Sequence, residues 1–126
     1  MLRRWVAGAL GALNTCNGAF MLIDGALWYD SVPGLAHTGP YNPHFVADIG
    51  AAYLVAGLTL VARAWRRRYW PAAIAGAAFL LMHAGIHVVD LTMERSGAPT
   101  VDVAFVILPA LIAAWAAAPS KEQAHA

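Results

Sequence analysis

Residues 43–89 read PHFVADIGAAYLVAGLTLVARAWRRRYWPAAIAGAAFLLMHAGIHVV. Two apolar runs, 43–65 and 71–89, flank a short turn that holds Arg66, Arg67 and Arg68. Each run has about the 20 residues an α-helix needs to cross a bilayer. Asn42 before Pro43 is a helix cap with proline at the first helical position, and Pro71 opens the next helix after the turn. So tight a connection makes the two helices an antiparallel hairpin.

On either side of this hairpin lie two further apolar runs, at about residues 5–23 and 101–118. The reading is therefore an all-α membrane four-helix bundle with antiparallel neighbours. Residues 1–118 form its single four-span domain and 119–126 a short cytoplasmic tail that carries Lys121 and His125. Composition agrees: of 126 residues, 60% are hydrophobic and 12% charged, far from the mixture of a water-soluble domain. Cys16 is the only cysteine, which excludes an internal disulfide framework and cysteine-based zinc or iron–sulfur sites; it reads as a packing residue. A net charge of +1, with basic residues gathered at helix boundaries, argues against nucleic-acid binding. The basic residues before 16 also suit a secretory signal, but Asn14, Thr15 and Asn17 interrupt the apolar run, so the segment reads as a retained span. Glycines along all of the first three runs permit close helix contact.

Arg3, Arg4, Arg63, Arg66, Arg67, Arg68 and Lys121 fall on one side of the predicted bundle, and only Arg95 on the other. By the positive-inside rule both termini are cytoplasmic, in a bacterial inner membrane, and residues 24–42 and 90–100 face outward. Trp5, Trp65, Trp70 and Trp115 then sit near the inner interface, with Trp28 and Tyr29 near the outer one.

Ionisable residues within a span are costly and point to function. His83, His87 and Asp90 project within ~60° of one another on one helix face, and His44 and Asp48 make an i,i+4 pair on the preceding helix. Folding the hairpin about its turn levels residues whose numbers sum to ~135. Asp48 then faces His87, His44 lies near Asp90, and Asp24 and Asp102 reach the same height from the other helices. Six of the seven acidic residues and four of the five histidines occupy this outer half or its loops. An outward-facing pocket of His44, Asp48, His83, His87 and Asp90 is the expected site. Its ligand types suit a transition metal (zinc, iron, manganese or copper) for binding or for redox or hydrolytic chemistry. Haem held by two facing histidines is a lesser alternative. A metal-free alternative makes Asp48 and His87 a proton-active pair in a quinone- or proton-coupled redox subunit. A structural or assembly subunit of a membrane complex, or a homo-oligomer, is the non-catalytic alternative; in every case the lipid bilayer is a partner. Asn14 and Asn17 read as interhelical hydrogen-bonding groups, Pro109 as a kink that frees the Phe105 carbonyl, and the loop around His37 as a connector or lid.

Trp28-Tyr29, Val32-Pro33-Gly34, Thr38-Gly39-Pro40, Asn42, His44-Phe45-Val46, Asp48-Ile49-Gly50 and the run from His83 to His87 resemble a family of small bacterial four-helix integral membrane proteins. Residues 48–58 resemble more distantly the DoxX-like families, some of which are linked to quinone and thiol redox chemistry. The nearer resemblance implies a fold and a membrane location and assigns no catalytic role.

Overall fold

A computed structural model of the chain describes residues 1–119. Lys121 and His125 lie outside the described residues. Four long helical segments dominate: α1 (Leu2–Ile23), α3 (Pro43–Trp65), α4 (Trp70–Thr92), and a last segment made of α5 (Pro99–Val101), a π-helical stretch (Asp102–Ile107) and α6 (Leu108–Ala117). A short helix α2 (Gly25–Ser31) follows α1 directly.

Local chemistry sets these boundaries. The Asp24 amide donates to the Phe20 carbonyl at 2.9 Å, closing α1. Its carboxylate accepts from the Leu27 amide at 3.0 Å, opening α2. Asn42 accepts from the Phe45 amide at 3.1 Å, and Pro43 occupies the first turn of α3. Between α3 and α4 the chain reverses through one tight turn, Arg67–Tyr69, before Pro71. α4 runs past Val89 to Thr92 and stops where Glu94 adopts a left-handed conformation (φ 57°) and the Arg95 amide donates to the Asp90 carbonyl at 2.8 Å.

Each long segment packs on the next, α1 on α3, α3 on α4 and α4 on α6, and α6 closes the ring against α1. The core is built from alanines around Leu60 and Leu80. Such small side chains bring helices close where lipid supplies no hydrophobic drive. The approach is closest between α1 and α3: a Cβ on Gly18 would overlap the Leu54 backbone, and one on Gly57 would overlap the Thr15 amide. Around the outside, Leu13, Phe45, Val55, Leu58, Ile86, Phe105 and Leu111 are exposed. In water that surface would be a large liability; against acyl chains it is the expected finish. All four segments are long and apolar enough to cross a bilayer. The fold is that of a multi-pass membrane protein.

The two ends of the bundle differ in charge. Helix C-termini expose unpaired carbonyls and partial negative charge, and arginines cover them at one end. Arg4 donates to the Ala64 carbonyl at 3.0 and 2.8 Å and to the Trp65 carbonyl at 3.1 Å. Arg3 and Arg63 reach the Ala118 carbonyl, and Arg63, only 4% exposed, also donates to the Arg67 carbonyl at 3.1 Å. The opposite, acidic end holds Asp24, Asp30, Asp48, Asp90, Glu94 and Asp102.

Candidate functional site

The best-organised polar group begins in the second half of α4 and ends in the loop that follows. His83 and His87 are one helical turn apart, so their rings lie along one face. Their Nε2 atoms are 3.3 Å apart. His87 Nδ1 lies 2.9 Å from Asp102 Oδ1, at the head of the π-helical stretch. The second oxygen of Asp102 accepts a short hydrogen bond from the Ser96 hydroxyl, which in turn accepts from the Ala98 amide at 3.2 Å. His87 and Asp102 are 26% and 14% exposed, so the pair is largely withdrawn from its surroundings.

Deeper in the bundle, His83 sits in an aromatic frame. Phe79 stacks on its ring at 6.1 Å between centroids, and Tyr53 of α3 meets it edge-on at 5.4 Å. Tyr53 and Phe79 are themselves edge to face at 5.4 Å. Tyr53 also lines a small cavity of about 20 Å³ with Asn14, Leu80, Phe105, Val106, Pro109 and Ala110.

The hydrogen-bond inventory fixes how protons are arranged. An ionised Asp102 only accepts, and Ser96 already donates to one of its oxygens. The other oxygen therefore takes a proton from His87 Nδ1. A neutral His87 then presents Nε2 as an acceptor, and His83 must donate from its own Nε2. One assignment satisfies every member: Ser96 to Asp102, His87 to Asp102, His83 to His87. A proton added at His83 and one withdrawn toward Asp102 shift the whole row by one step.

Two of the five expected site residues belong to this row, and three do not. His44 is 90% exposed and Asp48 64% exposed, and they pair with each other, at 3.4 Å. Asp90 makes an ion pair with Arg95 at 2.8 Å. The expected partners of His87 and Asp90 are thus replaced: Asp102 takes the place of Asp48 beside His87, and Arg95 takes the place of His44 beside Asp90. Reckoning by height levels Asp48 with His87 but says nothing of rotation about the axis. α3 turns Gly50 and Gly57 toward α1, and at 100° per residue Asp48 points roughly half a turn away from them. Among the described residues no group of three or more His, Cys, Asp or Glu side chains could hold a metal ion.

Other polar residues have local duties. Asn17 accepts from the Trp28 indole at 2.9 Å, tying α1 to α2, and Asn14 donates to the Leu10 carbonyl of its own helix at 2.7 Å. The His37 ring packs on Gly97, so the loop after α2 touches the loop after α4. Cys16 is exposed on the flank of α1 instead of packed.

Comparison with protein-family models, with curated proteins and with solved structures finds no match to this chain. Neither the small four-helix family nor the DoxX-like likeness gains support from it. The site therefore has to be read from its own chemistry.

Two members of the row were harder to find than the histidines. Asp102 is legible in sequence as an acid at the right height, yet it starts a π-helical stretch in which the Leu108 amide donates to the Val103 carbonyl. A fixed step of 100° per residue misplaces any side chain there. This widened stretch sits directly ahead of Pro109, whose ring would otherwise press on the Phe105 carbonyl. Ser96 carries no sequence signal, since a serine in a polar loop is ordinary.

Proposed function

We propose that this protein is a metal-free proton-transfer element of a bacterial inner membrane, with its arginine end in the cytoplasm and its acidic end outside. The observation that carries this reading is the continuous row Ser96, Asp102, His87, His83, which leads from a loop at the acidic end to a ring-lined position within the span. Positive-inside asymmetry supports the orientation.

Imidazoles suit this task because each ring can accept at one nitrogen while donating from the other. Asp102 holds the tautomer of His87 and stabilises the charge that His87 carries in passing. Phe79 and Tyr53 keep His83 among rings, and its proton passes along the hydrogen bond to His87. The reaction class served is a proton-coupled redox step in the bilayer. A lipid-soluble quinol that gives two electrons to a partner subunit also gives up two protons, and the row carries these outward from His83 through His87 to Asp102 while the partner takes the electrons.

The test is proton release to the external bath when a membrane-dissolved naphthoquinol is oxidised by external ferricyanide in liposomes that carry the full chain. The expected result is faster release than in empty liposomes. His87→Ala or Asp102→Asn should remove that acceleration by about a hundredfold, the scale of a lost general acid–base group. His44→Ala should leave it unchanged. Equal rates for the native chain and His87→Ala would defeat the reading.

A further inference from the structure

We propose that the arginine end holds a binding site for one anionic phospholipid, in the cavity between the start of α1 and the end of α3. The cavity has a volume of about 450 Å³ and is lined by Met1, Arg4, Trp5, Gly8, Ala9 and Ala64. Its walls are made by absent side-chain bulk: a Cβ on Gly8 would already approach the Ala64 Cβ to 3.2 Å. The floor is apolar and suits an acyl chain.

The rim is cationic. Arg4 is fixed in place because its Nε and Nη2 are bonded to the Ala64 and Trp65 carbonyls, which leaves Nη1 for a phosphate oxygen. Arg66 stacks on the exposed Trp65 ring at 4.7 Å, and Arg67 and Arg68 follow in the same turn. No side chain caps the first turn of α1, so its amide donors also face this end. Every acidic residue among the described ones lies toward the opposite end. Charge complementarity therefore selects an anionic headgroup over a zwitterionic one, and the groove beneath selects a lipid over free phosphate.

The experiment uses the full chain, delipidated in a maltoside detergent, with bound lipid counted by native mass spectrometry. Phosphatidylglycerol should bind about fivefold or more tightly than phosphatidylcholine with the same acyl chains. Arg4→Gln should reduce phosphatidylglycerol to the phosphatidylcholine level. Ala9→Leu, which fills the groove and touches no charge, should weaken both lipids; it keeps the proposal testable if Arg4→Gln fails to fold by circular dichroism. Equal adducts for the two lipids, native-like phosphatidylglycerol binding by Ala9→Leu, or displacement of the lipid by millimolar inorganic phosphate would each overturn the proposal.

Discussion

At the scale of single residues, the two histidine–carboxylate pairs separate structure from appearance. His44 with Asp48 has the better sequence credentials, an i,i+4 spacing on a helix, yet both side chains are mostly exposed. An exposed pair of this kind contributes about 0.2–0.5 kcal/mol. His87 with Asp102 is shorter, more buried and bonded onward at both ends. Asp102→Asn removes a charge-assisted hydrogen bond and should cost about 1.5–3 kcal/mol. Asp48→Asn should stay within about 0.5 kcal/mol. Chemical unfolding of both variants in the same detergent checks the contrast, and equal losses would mean the buried row is not specially held. Thr15 offers the reverse case. Its hydroxyl is buried without a hydrogen-bond partner, so Thr15→Val should raise stability by about 1 kcal/mol in that assay.

At the scale of elements, close approach matters more than propensity. α1 and α3 meet backbone to backbone at Gly18, where any side chain overlaps Leu54. Gly18→Leu should force the helices apart and cost about 1–3 kcal/mol or prevent folding. At Gly85, by contrast, a Cβ would meet nothing within 4 Å, and Gly85→Ala should be neutral or stabilising by up to about 1 kcal/mol, from helix propensity. Thermal unfolding followed by circular dichroism distinguishes the two; similar losses would refute the packing account. The last segment shows where local rules give out. Pro109 reads as a kink, and the chain answers with a π-helical stretch ahead of it, which resets the direction of Asp102 relative to Pro109 and beyond.

At the scale of the whole molecule, asymmetry of charge is the dominant feature. It predicts that Arg68→Cys, placed in a Cys16→Ser background, is protected from a membrane-impermeant maleimide in intact cells, whereas Thr100→Cys is labelled; the opposite pattern would invert the proposed orientation. By itself the sequence determined that four apolar segments form a bundle, that arginines and acids sort to opposite ends, and that His83 and His87 share a face. Those properties follow from span length, hydrophobicity and helical period, which are local. Only the tertiary structure decided which carboxylate meets His87, because that depends on how each helix is rotated about its axis. Rotation is set by which glycines and alanines face a neighbour, and by a widened turn at Asp102, so Asp48 was turned outward while Asp102 and Ser96 were brought in.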